Sequence, residues 1–169
     1  MLNSQVIAFI GAGKMATAIA GGMVKNGFKP ENIRAFDVSH KAAAHFSKQT
    51  GAVTASTFEE ALKGATVVVL AVKPQYLHDA VAESSGLLSD KLLISILAGV
   101  KISSLYDITK CERIIRVMPN TPALICEGFA AYSYSANTSE SDRNIVEHIF
   151  NSVGQCSHVQ EKLMDAVTG

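Results

Sequence analysis

Val6-Ile7-Ala8-Phe9-Ile10-Gly11-Ala12-Gly13-Lys14-Met15-Ala16 is the stretch that decides the fold. Five apolar residues run straight into Gly-x-Gly-x-x-Ala, and helix-forming residues follow. Gly11 permits the tight turn, Gly13 removes a Cβ where a pyrophosphate must approach the backbone, and Ala16 lets the helix pack close to the strand. The unpaired N–H groups and partial positive charge of the helix N-terminus suit phosphates. A lone acid, Asp37, stands at the end of a second apolar stretch, 21 residues after Ala16. That is the distance at which a ribose hydroxyl is recognised. A plain glycine turn is the bland alternative, and S-adenosylmethionine-binding folds use similar turns. Ala16 and the helix-length spacing favour a dinucleotide.

Outward from this motif, strand patterns alternate with helix patterns. Strands are expected over 5–10, 33–37, 52–54, 66–72, 91–96 and 113–118, with helices over 14–26, 39–49, 57–63 and 75–84. Ser39 and Thr57 sit at N-cap positions, Thr57 with Glu60 three residues on. Gly27 and Gly51 sit just past helix ends. The continuous apolar run at 67–72 suits a central parallel strand covered on both faces. The order implies an α/β fold, a doubly wound Rossmann-like sheet with right-handed crossovers and helices on both faces. After Pro122 the texture changes: a strand over 128–135, a helix over 139–152, a short strand over 155–159, and a new helical segment from 160. Residues 1–159 thus read as one dinucleotide-binding domain.

Composition narrows the function. Of 169 residues, 48% are hydrophobic and 18% charged, which is globular. Lys plus Arg and Asp plus Glu are both 15. With no basic stripe, nucleic acid is not an expected partner. No apolar run approaches a membrane span, and none has the flanks of a secretory signal. Three scattered cysteines, Cys111, Cys126 and Cys156, suit a reducing cytoplasm with free, mostly buried thiols. The five histidines show no metal-ligand spacing, so no metal site is expected.

Three further segments close strands, where doubly wound sheets bind ligands. Ala71-Val72-Lys73-Pro74 places Lys73 near a cofactor, although a surface lysine beside a helix-starting proline fits equally well. Ala98-Gly99 leaves room for a ligand or makes a simple turn. In Met118-Pro119-Asn120-Thr121-Pro122 two prolines bracket a polar pair. Asn120 can orient a carboxylate or ring amide, or cap its own loop.

Together, Ile10-Gly-Ala-Gly-Lys-Met-Ala16, Ala71-Val-Lys-Pro-Gln75, Ser95-Ile-Leu-Ala-Gly-Val100 and Ile115-Arg-Val-Met-Pro-Asn-Thr-Pro-Ala123 resemble pyrroline-5-carboxylate reductase, over essentially the whole chain. The resemblance implies hydride transfer from NAD(P)H to the cyclic imino acid 1-pyrroline-5-carboxylate, giving proline. Ile10, Gly11, Ala12, Gly13, Lys14 and Met15 would hold the pyrophosphate. Ala71, Val72, Lys73 and Pro74 would line the adenosine and nicotinamide path. Ala98, Gly99, Met118, Pro119, Asn120 and Thr121 would flank the nicotinamide. No catalytic side chain is assigned. Asp37 favours NADH; family habit favours NADPH, which the 39–41 turn would accommodate. Asp37 and Phe58 both depart from the residues common in the family at those positions.

Members of that family continue into a helical dimerisation domain, so 160–169 reads as its truncated start. The chain is expected to bind a reduced dinucleotide, to turn over little by itself, and to self-associate weakly through apolar surface at Leu163, Met164, Ala166 and Val167. A non-catalytic nucleotide-binding fragment, and a related imine or β-hydroxyacid-type reductase, are the alternatives.

Overall fold

A computed structural model describes residues 5–82 and 86–166. Eight strands form one sheet: β1 (Val6–Ile10), β2 (Ile33–Phe36), β3 (Val53–Thr54), β4 (Ala65–Leu70), β5 (Leu92–Ser95), β6 (Ile114–Pro119), β7 (Gly128–Tyr134) and β8 (Gly154–His158). Their order is β3-β2-β1-β4-β5-β6-β7-β8. The first six are parallel and reverse direction of winding at the β1/β4 boundary, the switch point where such sheets bind ligands.

Alternation along the strands divides the core. Ile7, Phe9, Val67, Val69, Leu92 and Ile94 point to one face, where α1 (Lys14–Lys25), α2 (His40–Thr50) and α6 (Glu140–Asn151) cover them. Ala8, Ile10, Val68, Leu70 and Leu93 point to the other, beneath α3 (Phe58–Leu62), α4 (Leu77–Val81) and α5 (Ile102–Thr109). Strands apolar on both sides are what two covered faces require.

The structure departs from the sequence reading, or adds to it, in five places. Helix α5 was not expected. The segment expected as one helix over 75–84 is a 3₁₀ turn at Pro74–Tyr76 followed by α4, and its end falls outside the described residues. Strand β7 runs antiparallel to β6, joined only by a 3₁₀ turn at Thr121–Ile125 that is too short for a crossover helix. Met164, expected to be exposed, is fully buried, whereas Leu163 is exposed; Val167 lies outside the described residues. Of the three thiols, expected to be mostly buried, Cys111 is buried, Cys156 is half-buried and Cys126 is exposed.

At the far edge, β8 pairs in parallel with β7. A Cβ built on Gly154 would overlap the backbone of Gly128, and one on Gly128 would lie 2.7 Å from the Ala123 Cβ. Three backbones meet there without room for side chains.

Candidate cofactor site

The glycine-rich turn joins β1 to α1 at the carboxyl edge of the sheet. Gly11 has φ +97°, and a Cβ there would lie 2.7 Å from the carbonyl carbon and oxygen of Ala71. Only glycine satisfies both constraints. Gly13 is the N-cap of α1 and is exposed, and a Cβ there would meet nothing within 4 Å. Protein packing therefore does not explain a glycine at 13. Ala16, buried to 1%, seats the helix against the strand.

Asp37 follows β2 and faces this turn. Its Oδ2 accepts the N–H of Ala12 at 2.8 Å, and its Oδ1 accepts the N–H of Ser39, the N-cap of α2, at 2.8 Å. One carboxylate thus clips the glycine turn to the start of α2 and is held in place on both oxygens.

A cleft of about 640 Å³ opens beside the turn. Of the residues singled out from sequence, Ile10, Gly11, Gly13, Asp37, Ala71, Val72 and Lys73 line it. Phe36, Val38, Ser39, Phe58, Tyr76, Asp79 and Ala80 complete the lining. Phe36, Val38, Tyr76, Asp79 and Ala80 were not anticipated, because nothing in their spacing shows which way the short α4 and the β2 end turn their side chains. Ala12 is buried in the turn behind Asp37, Lys14 is exposed, Met15 is half-buried against the core, and Pro74 starts the 3₁₀ turn on the surface.

Ala98, Gly99, Met118, Pro119, Asn120 and Thr121 do not line this cleft. They follow or end the neighbouring strands β5 and β6, farther along the same edge. Met118 and Pro119 are the last residues of β6, paired to β7 rather than looped. Asn120 Oδ1 accepts the N–H of Phe129 at 2.9 Å, so that oxygen caps the loop and its amide N–H₂ remains. Among the described residues no group of three His, Cys, Asp or Glu could hold a metal, and no helix is long and apolar enough to cross a membrane.

A doubly wound sheet with a glycine-rich turn at its switch point is the layout of dinucleotide-binding folds. The family model described as NADP oxidoreductase, coenzyme F420-dependent, matches residues 6–99, and the chain belongs to that family. The resemblance read from the sequence is borne out. Pyrroline-5-carboxylate reductase of Arabidopsis thaliana is 41% identical over 169 residues, covering 99% of this chain and 61% of the relative. The solved pyrroline-5-carboxylate reductase of Coxiella burnetii superposes with a TM-score of 0.92 at 31% identity, covering 98% of this chain and 63% of that one. That of Plasmodium falciparum, with NADP bound, superposes with a TM-score of 0.87 at 34% identity, covering 98% and 62%. The chain thus spans a little over three-fifths of the length of these relatives.

Proposed function

We propose that the chain is the cofactor-binding part of a reductase that reduces 1-pyrroline-5-carboxylate to proline at the expense of NAD(P)H. The carrying observation is the glycine turn with its vacant Cβ position at Gly13, set over the cleft at the switch point. The residues present fit such a cofactor. The N–H groups of the first turn of α1 would receive the pyrophosphate, Asp37 the ribose, and Val72 and Lys73 the path towards the nicotinamide. The bound group would supply a hydride to the imine carbon while the ring nitrogen takes a proton. The chain's own task is to orient it, and holding two reactants in register supplies much of the rate for an already electrophilic imine. Residues 1–159 form the binding domain in this reading.

Between the two cofactors, the reading favours NADH. Asp37 is tethered on both oxygens and cannot swing away, yet a carboxylate keeps free lone pairs for a ribose hydroxyl. A 2′-phosphate would meet that fixed negative charge. The competing feature is the exposed Ser39–His40–Lys41 start of α2, which offers N–H groups and a cation to a phosphate. Calorimetric titration with NADH and NADPH at one ionic strength is the test. Tighter NADH binding is expected; tighter NADPH binding assigns the 2′ position to Ser39–Lys41. Failure to bind either overturns the cofactor reading. The substrate reading is checked by oxidation of the bound cofactor on addition of pyrroline-5-carboxylate, with proline as the product.

A further inference from the structure

Strand β6 carries a charge in the middle of the core. Arg116 is 1% exposed, flanked in the sheet by buried Ser95 on β5 and Ser133 on β7. Ile115 and Val117 point to the α1–α6 face, so Arg116 points to the face covered by α5. A buried guanidinium is costly unless paired. Its partners come from the C-terminal segment: Nη2 donates to Asp165 Oδ1 at 2.5 Å, and Nη1 lies 3.7 Å from Glu161 Oε1. The Nε has no acceptor among the described residues.

Glu161 has a second task. Its Oε1 accepts the N–H of Ile102, the first residue of α5, at 2.7 Å. The N-cap of that helix, Lys101, makes no side-chain cap bond. Between these acids Met164 is fully buried, and the 3₁₀ turn at Glu161–Leu163 packs on β7.

One ion-pair group therefore ties three pieces together. Arg116 lies two residues before Met118, on the strand leading to 118–121. Ile102 lies three residues after Gly99. Glu161 and Asp165 belong to a segment 45 or more residues away in sequence. Both tied loops stand on the edge beyond the switch point, where the nicotinamide half of a dinucleotide lies in such folds.

We propose that Arg116 is a positioning residue for the nicotinamide end of the site: through Glu161 and Asp165 it fixes the Ala98–Gly99 turn and the 118–121 segment against each other. It touches neither cofactor nor substrate, and the adenosine end, clipped separately by Asp37, does not depend on it. This rests on the cofactor reading above, and the test separates the two.

The affinities of the whole chain for NADH and for ADP-ribose, which lacks the nicotinamide, are compared in the wild type and in Arg116→Lys, whose single ammonium cannot span both acids. NADH affinity is expected to fall about tenfold, with ADP-ribose affinity unchanged within about twofold. Asp165→Asn changes an exposed carboxylate, is expected to stay folded, and should show the same split with smaller size. It carries the test if Arg116→Lys does not fold. Equal losses on both ligands in the folded variant, or no loss on either, overturn the proposal. Wild-type chain that binds ADP-ribose as tightly as NADH overturns it while leaving the cofactor reading intact. Wild-type chain that binds neither ligand overturns this proposal, and the cofactor reading falls with it only where NADPH is not bound either.

Discussion

At the residue scale, two glycines of one turn behave differently for a physical reason. Gly11 is closed to side chains by the protein itself. A Gly11→Ala change places a Cβ 2.7 Å from the Ala71 carbonyl at φ +97° and is expected to cost about 2–4 kcal/mol, read by chemical denaturation. Gly13 is closed only by what binds. A Cβ at 13 has no protein atom within 4 Å, so Gly13→Val should cost no more than about 1 kcal/mol, from a poorer N-cap. Dinucleotide affinity, by contrast, should fall about a hundredfold or more, since the branched side chain occupies the pyrophosphate path. Calorimetry beside a melting curve checks both halves; retained affinity would reduce the motif to a turn. The sequence alone distinguishes these glycines by motif. It does not disclose that Asp37 is held by Ala12 and Ser39, because backbone donors leave no mark in residue identity.

Among the elements, those with local signals were readable and those stabilised from afar were not. Thr57 accepts from Glu60 N and Ser39 from Ala42 N, as the capping residues in the sequence indicate. Helix α5 lacks such a signal: Lys101 offers no cap, and its first N–H is satisfied by Glu161, 59 residues on. Glu161→Ala should destabilise α5 locally by about 1 kcal/mol, seen as faster amide exchange over its first turn. The helix has only eight residues, and its apolar spacing, Ile102, Leu105 and Ile108, is too short to mark it. The start of α6 shows the opposite case. Ser139 and Asp142 form a capping box, and the nearly buried Asp142 carboxylate also takes Arg113 Nη2 at 2.5 Å. Burial pushes the Asp142 carboxyl up, but the Arg113 bond, the Ser139 bonds and the Arg113 charge together hold it below the usual carboxylate range. A depressed folded value means stability present above the unfolded value of about 3.9 and lost as pH falls through the folded one. Asp142→Asn should therefore cost about 2 kcal/mol near neutrality, with the gap to wild type closing below about pH 4.

For the whole molecule, the alternation of strands and helices made the parallel six-stranded half legible. Residues beyond Pro122 were harder, since antiparallel pairing of β7 follows from a short connection rather than from composition. Thiol chemistry reports on this architecture. Cys126 is exposed, whereas burial pushes the Cys111 thiol up and lifts Cys156, beside Glu147, to about 12. Alkylation at about pH 8 should label Cys126 first, with Cys111 and Cys156 slower by about a hundredfold or more. Mass spectrometry of the peptides gives the order, and early labelling of Cys156 would contradict the packing of β8.

The meeting of Gly128 and Gly154 has a consequence for how this chain can change over generations. A Cβ at 154 overlaps the Gly128 backbone, and one at 128 presses on Ala123. Every other residue carries a Cβ, and since backbone atoms lie within 3.0 Å of it at both positions, no second side-chain change relieves the clash. Variation at this corner is thus confined to the outward-facing residues of β8, Gln155 and Ser157, which are exposed. In a saturation library selected for folding, 128 and 154 should be two nearly blank columns beside two permissive ones, and the seam becomes a fixed reference line against which the rest of the sequence drifts.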